Sequence, residues 1–259
     1  MGLATDQALS RGVWTASAGN MAQGVAWEAR RRGIPCTVVV PDNAPDTKLA
    51  AITRLSARIV KVPYATWWQI LVQHAYSGME GLFIHPTADA AVVAGNGTIG
   101  LEILEDLPDL DAVLVPWGGG GLSCGIASAL HGTGSTASVF ACEVETAAPL
   151  TASLAAGRPT SVDYTASFVD GIGARSVLPE LWNLASTLLA GSLVVSLAET
   201  AAAIRHLAAR ARIVAEGAGA VPVAAALSGR APVRKIVCVV SGGNIDAALL
   251  ARILGGASG

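Results

Sequence analysis

The sequence predicts an α/β fold in which open, mostly parallel sheets are flanked by helices and shared between two domains. Three observations carry that expectation. Short β-branched runs alternate with longer Ala/Leu-rich segments from Val13 to Leu254, the pattern of successive βαβ units. Three of the apolar runs break into small residues at a helix start, at Ser17–Asn20, Gly118–Gly121 and Ser241–Asn244, and open parallel sheets bind ligands beyond the carboxyl ends of their strands. The 259 residues, 52% hydrophobic and 14% charged, suffice for a substantial core in one large or two modest domains.

Taken in order, strands are expected at Val13–Ala16, Thr37–Val40, Arg58–Val62, Leu82–Ile84, Ala112–Val115, Val139–Cys142, Leu193–Val195 and Lys235–Val240. Between them, helices are expected near Asn20–Arg32, Asp46–Leu55, Thr66–Tyr76, Gly97–Asp106, Gly121–His131, Leu178–Leu189, Leu197–Arg212, Gly217–Ser228 and Ile245–Leu254. The His85-Pro86 step, with the loop-like T-A-D-A-A after it, marks a crossing between a small domain (12–85) and a larger one (86–259). No repeat or low-complexity linker interrupts the chain.

Composition narrows the partners. A net charge of −2 with 17 basic residues, clustered only at Arg30–Arg32, offers no footprint for nucleic acid or an anionic membrane, so a small molecule is expected. Cys36, Cys124, Cys142 and Cys238 are scattered singly, as small core residues of a reducing cytosol rather than a metal or disulfide set. The start M-G-L-A-T-D has no basic segment followed by an apolar run, and Asp6 stands where myristoylation wants Ser or Thr, so a cytoplasmic protein is expected. Ala112–Cys142 lacks Asp, Glu, Lys and Arg over a length that could span a bilayer, but Pro116 and four glycines break it into strand, turn, helix and strand.

Gly118–Gly121 is the most telling turn. Backbone N–H groups without Cβ atoms in the way, at a helix N-terminus, make a phosphate cradle, although an isolated glycine run also serves as a flexible turn. Gly119-x-Gly121-x-x-x-Gly125, with Glu143 ending the next strand, also imitates a dinucleotide-binding βαβ unit with its ribose-binding acid. That oxidoreductase reading leaves Ser17–Asn20 and Ser241–Asn244 unexplained.

Six segments together resemble the serine/threonine dehydratases, which with serine racemase belong to the fold-type II pyridoxal-phosphate (PLP) enzymes. They are T-A-S-A-G-N-x-A-Q-G-V-A (Thr15–Ala26), G-N-G-T-I-x-x-E-I-L (Gly95–Leu104), P-x-G-G-G-G-L-x-x-G-I-A (Pro116–Ala127), D-G-I (Asp170–Ile172), V-x-E-G-A-G-A (Val214–Ala220) and V-S-G-G-N (Val240–Asn244). The resemblance implies PLP as cofactor and β-elimination of a small hydroxy amino acid such as L-threonine or L-serine. It implies that Ser17, Ala18, Gly19 and Asn20 grip the substrate carboxylate, with Asn20 also near the pyridoxal 3-oxygen. Gly118, Gly119, Gly120, Gly121 and Leu122 would hold the cofactor phosphate, and Gly171 and Glu216 would border the ring. Ser241 would face the pyridine nitrogen, where a hydroxyl leaves the cofactor a weaker electron sink than a carboxylate would. By itself Glu216 also reads as a solvated acid at a helix end. The resemblance further implies a small mobile substrate-binding domain, a large PLP-binding domain and a homo-oligomer at full length, with the three turns converging on one cleft.

Departures from the family pattern matter as much. PLP chemistry needs a lysine for the Schiff base, which the family carries in an S-F-K-x-R-G-A segment about 25–30 residues before the asparagine matching Asn20. That position falls before Met1, which reads as internal to the following helix, so the chain looks like a late-started reading that lacks part of the large domain's sheet. Lys48, Lys61 and Lys235 are the lysines present, and none has the motif. Met21 and Thr87 replace the His and the Asn or Phe usual at those places. Racemase-like members bind a divalent cation through a Glu, a carbonyl and an Asp; Glu143 and Ala147 match, but Pro149 takes the Asp place, so no metal is expected. An inactive, cofactor-less remnant stays open as an alternative.

Overall fold

The β-branched runs pair as parallel strands in two separate sheets of four. The computed structural model describes residues 1–2, 4–231 and 234–256, and the chain divides into two compact units, Met1–Ala91 and Val92–Gly259.

In the first unit the elements run α1 (Asp6–Leu9), β1 (Val13–Ala16), α2 (Asn20–Arg32), β2 (Cys36–Pro41), α3 (Asp46–Arg54), β3 (Arg58–Val62), α4 (Tyr64–Gln73) and β4 (Leu82–Phe83). The sheet order is β3-β2-β1-β4, all parallel, with Val13 opposite both Cys36 and Leu82. Every residue of β1 is buried, and its one hydroxyl, Thr15 Oγ1, donates to Ile84 O at 2.8 Å. Trp14, Ala16, Val39, Val62, Ile70 and Leu71 form a core between sheet and helices. His85 closes the unit as a buried hub: Nδ1 accepts from Thr87 N (3.1 Å) and Ala88 N (2.8 Å), which leaves the proton on Nε2, donated to Leu71 O at 3.1 Å.

The second unit carries most of α5 (Ala90–Asp106), then β5 (Ala112–Pro116), α6 (Gly121–Gly132), β6 (Ser138–Val144), α7 (Pro149–Ala156), α8 (Pro179–Leu188), β7 (Gly191–Val195), α9 (Leu197–His206), α10 (Gly217–Leu227), β8 (Ile236–Cys238) and α11 (Ala247–Leu254). Its order is β7-β6-β5-β8, again all parallel. Central β5 is buried throughout, as a strand covered on both faces must be. Apolar on every side, α10 is a core helix, packed with Leu114, Cys142, Val195 and Ile204. Helices α5 and α6 cross with almost no separation: a Cβ on Gly125 would lie 2.4 Å from Val93 O, and one on Gly97 3.0 Å from Gly125 O.

Several elements depart from the sequence expectation. α1 starts at Asp6 under a Thr5 cap, and Met1 and Gly2 are not helical. α5 begins at Ala90 rather than Gly97, because Asp89 Oδ1 accepts from Ala91 N (2.9 Å) and turns the apparent loop into a helix start. α7 was not foreseen. The helix expected to reach Arg212 widens into a π-turn over Leu207–Ala211 and stops at Arg212, whose φ is +60°. Ala112–Cys142 resolves into strand, helix and strand, and among the described residues no helix is long and apolar enough to cross a membrane.

Candidate functional site

The glycine turn is built on packing. Trp117, 1% exposed, extends the β5–β6 pairing through its N–H to Cys142 O (2.8 Å), and its ring lies under the turn. Gly120 caps α6 with φ +91°, and a Cβ there would stand 2.6 Å from Trp117 Cη2, so conformation and space both demand glycine. No side chain caps α6 and no acid lies in its first turn, which leaves the helix-start N–H groups of Gly121, Leu122 and Ser123 without side-chain acceptors. Ser123 Oγ turns away to Pro116 O at 3.2 Å.

Around this turn the second unit assembles the other expected residues through backbone approaches. A Cβ on Gly118 would meet Ile172 Cα at 3.3 Å, one on Gly171 would meet Ala218 Cβ at 2.9 Å, and one on Gly219 would meet Gly242 O at 2.8 Å. Glu216 N donates to Gly242 O at 3.0 Å. Gly118, Gly171, Glu216 and the Ser241–Gly243 loop therefore form one contiguous wall. Glu216 is 4% exposed, which corrects the solvated-acid alternative. The π-turn has a part here: with left-handed Arg212 it delivers Val214 so close to the loop that a Cβ on Gly243 would lie 2.5 Å from Val214 O.

In the first unit, Ser17–Asn20 follows β1 and opens α2 in the same way. Gly19 is the N-cap, no side chain caps the helix, and Gly19 N donates to Ser17 Oγ at 3.3 Å. Asn20 is exposed at the first helical position.

Sequence reasoning assigned no role to three side chains here, Gln23 and Asn244 within quoted motifs and Trp117 at the open position of P-x-G-G-G-G. Among the described residues, Gln23 Nε2, Trp67 Nε1, Trp117 Nε1 and Asn244 Nδ2 are buried side-chain nitrogens with no hydrogen-bond partner; Trp67 lies on α4, and the other three lie in or beside the three turns. All are donors. Gln23 and Trp117 stand by the uncapped starts of α2 and α6, which suit anionic ligands such as a carboxylate and a phosphate, whereas the helix after Asn244 is capped by Asp246, whose Oδ1 accepts from Ala248 N (2.9 Å) and Leu249 N (3.0 Å).

The lysines stand elsewhere. Lys235 precedes β8 and pairs with Asp109 at the amino end of its sheet, opposite the glycine turn. Lys48 is buried within α3, and Lys61 is exposed on β3. Glu143, fully buried, is committed to α7: its carboxylate accepts from Leu150 N (2.8 Å), Thr151 N (2.8 Å), Thr151 Oγ1 (2.7 Å) and Ser192 Oγ (2.8 Å). It is thus withdrawn from the ribose-binding role a dinucleotide fold would give it. Burial pushes the Cys36 and Cys238 thiols up to about 11 and Cys124 to about 12, which leaves them unreactive.

Comparison with known proteins decides the family. The family described as pyridoxal-phosphate dependent enzyme matches residues 3–242. The chain belongs to that family. Among relatives of this PLP-enzyme chain, the L-threonine ammonia-lyase of Geobacter sulfurreducens is 41% identical over 244 residues, covering 93% of this chain and 60% of that protein. The catabolic L-threonine dehydratase of Escherichia coli is 38% identical over 256 residues, covering 97% and 78%. Maize serine racemase superposes with a TM-score of 0.88 at 30% identity, covering 96% of this chain and 78% of the other. The chain spans 60% and 63% of the length of the two L-threonine ammonia-lyases it matches. Two parallel four-stranded sheets flanked by helices are the architecture of the fold-type II PLP enzymes.

Proposed function

We propose that this chain carries the binding machinery of a PLP-dependent ammonia-lyase that converts a small hydroxy amino acid, such as L-threonine or L-serine, to a 2-oxo acid and ammonia. The observation that carries this reading is the wall of Gly118, Gly171, Glu216 and Ser241 around an uncapped glycine turn that holds unpaired donors. When bound, PLP supplies an electron sink for the substrate's α-carbon. Backbone N–H groups of Gly118–Leu122 hold the phosphate, the Ser241 hydroxyl faces the pyridine nitrogen, and Gly171 and Glu216 flank the ring. Residues 86–259 thus form the cofactor domain. Residues 12–85 form a smaller, mobile domain in which Ser17, Ala18, Gly19 and Asn20 orient the substrate carboxylate, with Asn20 near the 3-oxygen. The protein works as a cytoplasmic homo-oligomer.

The amine nucleophile is a separate matter. Lys235 is held at the wrong end of its sheet, and neither Lys48 nor Lys61 follows one of the ligand turns. We assign the Schiff-base role to none of them, which favours a second reading in which residues 1–259 bind cofactor without turning over. Calorimetry with pyridoxine 5′-phosphate, which has no aldehyde, tests the cofactor site; absence of binding refutes it. Borohydride reduction with PLP followed by mass spectrometry tests the lysines. A single pyridoxyl adduct on Lys48, Lys61 or Lys235, together with steady keto-acid release from L-threonine, would show that the nucleophile is in this chain.

A further inference from the structure

Two departures from ordinary helix geometry coincide at the end of α9. The last turn is a π-turn, Leu207–Ala211, and the residue after it, Arg212, is left-handed at φ +60°. Left-handed closures are common at helix ends, but they fall to glycine or asparagine, and an arginine there carries a steric cost. π-turns gather at functional sites, and strain persists where the surroundings over-determine it. The N–H groups of Arg212 and Ile213 both donate to Leu207 O, the second at 3.2 Å, and Leu207 is buried, so the exit of the helix is fixed. Burial does not account for the path that follows, because Ile213 and Val214 are 41% and 55% exposed. What the path achieves is backbone contact. Val214 O would stand 2.5 Å from a Cβ on Gly243, and two residues on, Glu216 N donates to Gly242 O at 3.0 Å. Gly219 of α10 closes the other side, where a Cβ would be 3.3 Å from Ser241 N. Past Val239 N, which donates to Leu114 O (3.0 Å), the Ser241–Gly243 loop has left the sheet, so these approaches set where it stands.

We infer that the π-turn and left-handed Arg212 are a positioning device for Ser241: they place Val214 O and Glu216 N against the loop and thereby hold the Ser241 hydroxyl at the ring nitrogen of the cofactor. The inference rests on the cofactor reading above, in which Ser241 faces that nitrogen. Arg212 is exposed and acts here through its backbone. A hydroxyl that donates to the nitrogen favours the unprotonated ring, so a shift of the loop changes the protonation of the bound pyridine.

The test titrates pyridoxine 5′-phosphate into wild type, into a variant with exposed Ala209 deleted, and into both again with Ser241→Ala. It reads affinity and the absorption of the ring, which differs between its protonated and unprotonated forms. Deleting Ala209 returns the turn to α spacing while α10 keeps Glu216 in place, so Val214 O is withdrawn from Gly243. We expect Ser241→Ala and the deletion each to weaken binding about fivefold, the loss typical of one neutral hydrogen bond, and to move the absorption towards the protonated ring. On top of Ser241→Ala the deletion should add nothing. Wild-type absorption in the deletion variant, or a shift that persists in full beside Ser241→Ala, overturns the inference and leaves the cofactor reading standing. Absorption indifferent to Ser241→Ala overturns the inference and the role of Ser241 together, and failure of the wild type to bind overturns the cofactor site as well. Should the deletion variant unfold, Arg212 decides. Arg212→Gly, which favours the left-handed conformation, should keep the wild-type absorption, and Arg212→Val, which disfavours it, should shift it; equal absorption in the two overturns the inference.

Discussion

The two units solve one problem twice, with different materials. Their sheets share an order, third, second, first, fourth strand in sequence, and each first strand leads into a helix with no side-chain cap. Topology alone therefore supplies two uncapped helix starts suited to anions. In Met1–Ala91 the turn is organised by a side chain, Ser17, and nothing lies within 4 Å of a Cβ on Gly19. In Val92–Gly259 the turn has no side chains and is organised by what packs beneath it. The first can adapt to a ligand's shape, whereas the second is pinned by its floor.

The sharpest way to break this contrast is to put the same methyl into both turns. Gly120→Ala adds left-handed strain and a clash with Trp117, together about 3 kcal/mol, and should reduce pyridoxine 5′-phosphate binding at least a hundredfold. Gly19→Ala should cost under about 1 kcal/mol in urea unfolding, because an N-cap alanine is only mildly unfavourable and the space is open. Similar losses at both sites would erase the distinction.

Next in size are the buried polar hubs, one per unit. Glu143→Gln places an amide donor among four donors and should cost about 2–4 kcal/mol, nearly as much as Glu143→Ala. His85→Ala strands two N–H groups and one carbonyl and should cost about 2–3 kcal/mol in its own unit. A neutral Glu143→Gln in denaturant titrations would mean that the carboxylate is not what holds α7.

Thiol labelling sharpens the comparison further. All four cysteines have raised pKa values through burial, so near neutral pH they should react only when their unit opens. The first unit is the smaller, so Cys36 should label before Cys124 and Cys142 as urea rises. Simultaneous labelling would show one cooperative transition.

The smallest effect is acid sensitivity at the surface. Hydrogen bonds from Arg31 and Arg32 hold Glu28 at about 2, down from 4.5, and Arg230 with the Ser196 backbone lowers Glu199 in the second unit. A depressed folded pKa gives stability that is complete above the unfolded value and lost as pH falls through the folded one. Glu28→Gln should therefore flatten the decline between about pH 4.5 and 2, slightly, because the pair is exposed. No difference from wild type would mean that Glu28 adds nothing measurable.

How much of this was written in the sequence varies with the range of the forces involved. α2 runs from Asn20 to Arg32 as expected, because a strand end, three arginines in the last turn and Gly33 after them are all local signals. α7 carried local signals too, Pro149 at its first turn and left-handed Gly157 after its end, but no apolar periodicity drew attention to them. The glycine turn and Ser241 were legible as motifs. The packing of Trp117 beneath that turn and the Glu143 cap were not, since each acquires its meaning from atoms that only tertiary packing brings near. The π-turn is of the same kind, its register set by where Val214 must meet Gly243.

The bare crossing of α5 and α6 sets a mechanical tolerance for chemistry it never touches. Gly125 lies one turn, about 6 Å, beyond Gly121, so the depth at which α6 seats against α5 fixes the height of the cradle. A methyl at Gly125 would have to back away from Val93 O by about 1 Å to reach ordinary contact, whereas good hydrogen bonds to an anion occupy a window of about half that width. Heritable changes at Gly97 or Gly125 would then surface as poor cofactor retention in a chain that still folds, and could easily be mistaken for lesions of the site itself.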